Sequence, residues 1–154
     1  MCLLDEIIDS FSIGLPLGNY LSQYLANFYL NKLDHWLKET KKIKHYLRYM
    51  DDIVILGNNK EELRNLFQDI KNYLNNNLKL TIKNNYQVFP ISKRGIDFVG
   101  YVHYRNYTLL RKSIKKRFIK MIRYNKNEKS INSYNGWLLY GNCLNLRNKY
   151  LKNE

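Results

Sequence analysis

Tyr46-Leu47-Arg48-Tyr49-Met50-Asp51-Asp52-Ile53-Val54-Ile55-Leu56 decides how the rest of the chain is read. Both flanks are rich in β-branched and aromatic residues, so both predict strands. Met50-Asp51-Asp52 then falls at the tip of a tight hairpin. Ile53 to Leu56 are apolar without alternation, which predicts a strand buried on both faces. Two carboxylates would thus stand at one end of a stiff ribbon. Adjacent acids at a turn are ordinarily solvated, because Asp suits turns. Side by side, however, their charges repel, and a hard divalent cation relieves that repulsion. Mg²⁺ takes one or two carboxylates and fills its other positions with water and substrate phosphates.

Composition bounds the partners. The 154 residues carry a formal net charge of +13, which points to a polyanionic partner. Fourteen tyrosines are interleaved with Lys and Arg, a mixture suited to base stacking and phosphate contact. A basic protein with tyrosines in its core would have the same composition. No apolar run approaches the ~18–20 residues of a membrane helix, so no membrane span is expected. Met1-Cys2-Leu3-Leu4-Asp5-Glu6 lacks the basic n-region of a signal peptide. Cys2 and Cys143 are far apart without metal-ligand spacing and fit reduced thiols; the expected location is cytoplasmic.

Working outward, residues 1–13 have helical spacing at Leu3, Leu4, Ile7, Ile8 and Phe11. Gly14-Leu15-Pro16-Leu17-Gly18 predicts a loop, with glycines for unusual backbone angles and Pro16 to stiffen it. A helix is expected from about Leu21 to Lys38, with Leu21, Leu25, Phe28, Leu30, Leu33, Trp36 and Leu37 on its apolar side. Residues 39–44 form a basic connector. After Gly57, Asn58 or Asn59 caps a helix with Glu61 and Glu62 in its first turn. Its stripe is Leu63, Leu66, Phe67, Ile70, Tyr73 and Leu74, and Asn75-Asn76-Asn77 is expected to end it. Leu78 to Phe89 predicts one or two strands, which Pro90 interrupts. Arg111, Lys112, Lys115, Lys116, Arg117, Lys120 and Arg123 crowd one helical stretch, backed by Ile114, Phe118, Ile119 and Ile122. No acid follows until Glu128, so no internal pairing is expected to neutralise them. A second helix follows Ser130. No internal repeat or long linker interrupts the chain.

Tyr49-Met50-Asp51-Asp52 resembles the Tyr-X-Asp-Asp box of reverse transcriptases. Gly14-Leu15-Pro16-Leu17-Gly18-Asn19 with Ser22-Gln23, and later Gly95-Ile96-Asp97-Phe98-Val99-Gly100-Tyr101, follow in the same order. From Gly14 onward the chain resembles a bacterial or phage reverse transcriptase, from mid-palm to thumb. Leu17-Gly18 and Ser22-Gln23 resemble the enzymes of diversity-generating retroelements, with the group II intron and retron types next. The resemblance implies an α+β fold: an antiparallel palm sheet backed by helices over residues 1–109, then a small helical thumb over 110–154. It implies RNA-directed DNA synthesis with two Mg²⁺ ions, Mn²⁺ serving as substitute, held by Asp51 and Asp52 as metal-binding and catalytic residues. Leu17, Gly18, Asn19, Ser22, Gln23, Tyr49, Met50 and Lys83 would line the nucleotide and template pocket, although Ser22 and Gln23 equally suit capping of their helix. Phe98, Val99, Gly100 and Tyr101 would form the primer grip. The basic helix, Arg111 to Arg123, would contact the template–primer backbone. The implied partners are an RNA template, a DNA primer and dNTPs, with room for a basic accessory protein. The fingers and first palm strand, which bears another metal-binding Asp, have no match here. The chain therefore reads as the C-terminal part of such an enzyme or a truncated gene product. The rival reading is a non-catalytic RNA- or DNA-binding remnant; RNase H and integrase activities find no support.

Overall fold

A computed structural model describes residues 20–124 and 128–151. The expected helix over 1–13, the glycine-rich loop, and Leu17, Gly18 and Asn19 lie outside the described residues. The fold is α+β. It divides into two compact units, Met1–Val88 and Phe89–Glu154, each with its own hydrophobic core.

In the first unit, helix α1 (Tyr20–His35) continues into a wider π-helical turn, Trp36–Thr40. Leu33 and Leu37 are fully buried from these two segments. The turn closes through Lys41 N–H on the Trp36 carbonyl at 3.0 Å, and the Trp36 ring stacks on Tyr73 at 4.4 Å. Phe28 does not join the apolar side expected of it. With Tyr20 and Tyr24 it forms an exposed stripe at spacing four, on a face turned away from Leu33. Strands β1 (His45–Tyr49) and β2 (Asp52–Leu56) pair antiparallel, with Tyr49 opposite Asp52 and Arg48 opposite Ile53. Helix α2 (Lys60–Leu78) starts at Asn59, whose side chain accepts from Glu61 N–H at 2.9 Å. Ile70, Leu74 and Leu78 of α2 meet Leu33 and Leu37, and Tyr46, Ile53 and Ile55 of the hairpin pack on them.

Three expectations change here. β2 is not buried on both faces: Ile53, Val54 and Ile55 are half-buried, and Leu47, opposite Val54, is 61% exposed. A two-stranded ribbon rests one face on the helices, and its other face stays open among the described residues. The asparagine run does not end α2, because burying Leu78 outweighs the weak helix preference of Asn. The helix stops at Lys79, which is left-handed (φ 51°), with Leu80 N–H reaching back to the Leu74 carbonyl at 3.1 Å. Finally, Leu78 to Phe89 contains no strand. The alternation of Leu78, Leu80 and Ile82 arises because Leu78 closes the helix while Ile82 packs on the core. Tyr86 stacks on Phe67 at 3.8 Å, so ring contact rather than a backbone ladder holds this stretch.

In the second unit, β3 (Ile96–Phe98), β4 (Tyr101–His103) and β5 (Thr108–Leu110) form an antiparallel meander. Helices α3 (Lys112–Tyr124), α4 (Glu128–Leu139) and α5 (Leu144–Leu151) follow. Leu110, Phe118, Leu138 and Cys143 are its buried centre. The Cys143 thiol acts there as a small apolar group. α4 begins at Glu128, one turn's fraction earlier than Ser130 suggested.

Candidate active site

The hairpin tip consists of Met50 and Asp51, with Tyr49 and Asp52 as the last paired residues. Met50 has φ 54°, an unusual angle for a side chain with a Cβ. This turn sends the Asp51 side chain into solvent at 76% exposure, and Asp52 beside it is also exposed. Lys83 comes from the loop after α2 and places Nζ 3.4 Å from Asp51 Oδ2, itself 79% exposed. Screening by water makes such a pair energetically weak. Its interest is positional: a residue distant in sequence stands beside the carboxylate pair. Tyr49 is 54% exposed and Met50 half-buried.

Behind the tip lies a polar cluster that the sequence did not single out. Arg48 Nε and Nη2 donate to Asp34 Oδ1 and Oδ2 at 2.8 and 2.6 Å, a forked pair. Arg48 Nη1 donates to Asn27 Oδ1 at 2.9 Å and to the Met50 carbonyl at 2.9 Å. Asn27 Nδ2 donates to Met50 Sδ at 3.4 Å. Tyr46 hydroxyl donates to Asp34 Oδ1. Burial pushes the Asp34 carboxyl up, but hydrogen bonds from Arg48 and Tyr46, with the Arg48 charge, hold it below its ordinary value. Burial, then the bond to Asp34, pushes the Tyr46 phenol well up. The bond to Asp34 raises Arg48 despite burial. A signal was present in the sequence. Strand alternation puts Tyr46 and Arg48 on one face with Ile53 and Ile55, and a charge facing a core needs a partner.

The other expected residues fall elsewhere. Ser22 in α1 has a buried hydroxyl without a partner among the described residues, and Gln23 is exposed. Phe98 and Tyr101 belong to the second unit and flank a two-residue turn, Val99-Gly100, with φ 46° and 80°. A Cβ on Gly100 would stand 2.3 Å from Trp137, so the close approach this glycine allows is made by the chain's own indole. Tyr101 hydroxyl is engaged with the Trp137 carbonyl at 2.8 Å, and burial, with Cys143 and Tyr140 nearby, raises its pKa. Lys112, Lys115, Lys116, Arg117, Lys120 and Arg123 are exposed on α3. Arg111 departs from the expected unpaired run: it is ion-paired with Asp97 of β3 at 2.6 Å.

The site's donors suit Mg²⁺. Two adjacent, solvent-facing carboxylates are hard oxygen ligands and leave open positions for water and phosphate. Among the described residues no group of three or more His, Cys, Asp or Glu converges, so Asp51 and Asp52 are the acids in place. No helix among the described residues is long and apolar enough to cross a membrane.

Residues 10–103 match the family model described as reverse transcriptase (RNA-dependent DNA polymerase). The chain is also similar to the putative COX1/OXI3 intron 2 protein of Saccharomyces cerevisiae, 23% identical over 145 residues. That match covers 58% of this chain but 17% of the relative's length. On the family match and the order of its motifs, the chain belongs to the reverse transcriptase family.

Proposed function

We propose that the Asp51–Asp52 hairpin is the carboxylate centre of an RNA-directed DNA polymerase. The observation that carries this reading is the placement of both acids, solvent-facing, at the tip of a hairpin seated on a helical core, with Lys83 alongside. Asp51 and Asp52 would hold two Mg²⁺ ions, with Mn²⁺ as substitute. When bound, the ions supply Lewis acidity at the primer 3′-hydroxyl and neutralise charge on the triphosphate. Asp51 and Asp52 would orient these charges at a fixed point, because Tyr46, Ile53 and Ile55 seat the ribbon beneath them on the helical core. Lys83 meets the incoming triphosphate, exchanging its weak pair with Asp51 for phosphate. Ser22 and Gln23, with Leu17, Gly18 and Asn19, border the nucleotide, and Tyr49 and Met50 lie beneath it. Residues 98–101 hold the primer end. The exposed cations of α3 contact template–primer phosphates without reading sequence. Residues 1–109 then act as palm and 110–154 as thumb. A further acid, on the first palm strand that the family places earlier, would complete the metal ligands.

The test is primer extension on an RNA template with Mg²⁺, with that strand and the fingers supplied in cis. Asp51→Asn should abolish extension while folding and RNA binding persist. Extension at a comparable rate would refute the assignment. Binding without extension by the completed, unsubstituted enzyme would establish the non-catalytic reading instead. Leu17-Gly18 and Ser22-Gln23 favour the diversity-generating type, whereas the similarity to an intron protein favours the intron type. Misincorporation concentrated at template adenines would select the first, and even fidelity the second.

A further inference from the structure

We infer that Arg48 is a positioning residue for the Asp51–Asp52 pair, acting through the Met50 peptide and anchored to α1 by Asp34 and Asn27. This rests on the active-site reading above.

Four of the five guanidinium N–H groups are engaged: two on Asp34, one on Asn27 and one on the Met50 carbonyl. The Arg48 and Asp34 side chains are 11% and 25% exposed, so the pair is shielded from water where Lys83–Asp51 is not. A forked ion pair alone would be a structural tie between β1 and α1. The reach to Met50 makes it more than that. Met50 carries the one positive φ of this turn, and its carbonyl belongs to the peptide that leads into Asp51. Asn27 grips the same residue a second time, through Sδ. Backbone at an unfavoured angle persists only where surrounding contacts over-determine it. Here those contacts come from one guanidinium and one amide, and both are fixed to the same helix. Rotation of the Met50 peptide would swing both carboxylates off the point where they must meet metal and phosphate. Asp34 sets the guanidinium plane, and Tyr46 in turn fixes Asp34. Lysine would keep the charge but lose the fork, so it cannot serve Asp34, Asn27 and Met50 together.

The experiment compares Arg48→Lys, Asn27→Ala and Asp51→Asn in the completed polymerase. Melting temperature, RNA binding, kcat, the KM for dNTP and, without nucleotide, Mn²⁺ affinity by EPR are measured. Arg48→Lys should lower kcat and Mn²⁺ affinity by about 10- to 100-fold, as loss of support behind metal ligands does, while RNA binding is retained. Asn27→Ala should move both in the same direction by a smaller factor. A purely structural tie would lower the melting temperature and leave kcat per folded enzyme and Mn²⁺ affinity unchanged; that result overturns the inference. Should Arg48→Lys fail to fold, Asn27→Ala decides: unchanged kcat and Mn²⁺ affinity overturn it, and a shared loss supports it. Asp51→Asn separates the two levels. If it is inactive while Arg48→Lys matches the unsubstituted enzyme, positioning alone is overturned. If it extends primers normally, the active-site reading falls, and this inference with it.

Discussion

The two tightest hairpins among the described residues solve one problem in opposite ways. Met50-Asp51 and Val99-Gly100 are both two-residue turns, and each places a residue with a Cβ at positive φ. At the first, support comes from behind: Arg48 and Asn27 hold Met50 from the helix side, and the tip projects its carboxylates into solvent. At the second, support comes from over the top. Trp137 lies across Gly100, Arg111 N–H donates to the Gly100 carbonyl at 2.9 Å, and the Arg111 side chain grips Asp97. A tip braced from below is free to meet a ligand with its side chains. A tip covered by its own core offers mainly its edge, here the exposed Val99.

The largest effect should come from the open tip. Asp51→Asn should reduce primer extension by at least about 10³-fold, since metal-held charge is worth several kcal/mol in the transition state. The melting temperature should stay within a degree or two, because among the described residues the side chain is bonded only to Lys83, through a solvent-exposed pair. The covered tip should show the reverse pattern. Gly100→Ala adds a Cβ against Trp137 at a φ of 80°. Left-handed strain and overpacking together should cost about 2–4 kcal/mol, read as a drop in denaturant midpoint. If Gly100→Ala leaves stability intact while Asp51→Asn unfolds the chain, the contrast between the tips is wrong.

Binding by the second unit tests a smaller, distributed effect. Replacing Lys115, Lys116 and Lys120 with Ala should weaken binding to unrelated nucleic acids alike. The slope of log K against log salt should shrink by about 0.7–0.9 per lost contact. Arg111→Ala should alter that slope less than these do, because its charge is already matched by Asp97. An unchanged slope in the triple variant would place α3 in solvent.

Much of this was legible in the sequence, and the misses share a cause. Local signals read well: the β-branched flanks of Asp51-Asp52, the Asn59 cap with Glu61 and Glu62, and the stripe of α2 all formed. What depended on a partner distant in sequence did not. Leu78 to Phe89 has strand-like residues but gains no ladder. Arg48 looked like one more cation until Asp34, fourteen residues earlier, met it. Arg111 looked unpaired until the meander brought Asp97 to it. Lys83, a weak sequence signal, stands beside Asp51 because of where the loop after α2 lies.

Acid should loosen the first hairpin through Asp34. Its carboxyl pKa is lower in the folded chain than its ordinary value near 3.8. A depressed carboxyl contributes stability that is fully present above the unfolded pKa and lost as pH falls through the folded one. Stability should therefore decline below about pH 4, and Asp34→Asn should flatten that part of the curve while lowering stability at neutral pH. An identical acid limb in the variant would show that Asp34 is not the group responsible.

The smallest effect is the most discriminating, and it concerns the covered tip. Val99 is β-branched and sits at φ 46° in a turn whose two central residues both have positive φ. That turn type favours Asn or Asp before Gly, since a short polar side chain tolerates the left-handed region and valine does not. Val99→Asn should thus stabilise the chain by about 1 kcal/mol, a rise of about 2–4 °C in melting temperature. A valine kept against its own backbone preference invites the question of what it touches. If the edge of this turn holds the primer, Val99→Asn should raise the KM for primer several-fold in the same protein that melts higher. A higher melting temperature with unchanged primer KM would separate the strain from the grip and leave Val99 as a residue of the fold alone. No change in melting temperature would mean that the angle costs valine little here, removing the reason to look for a ligand at this edge.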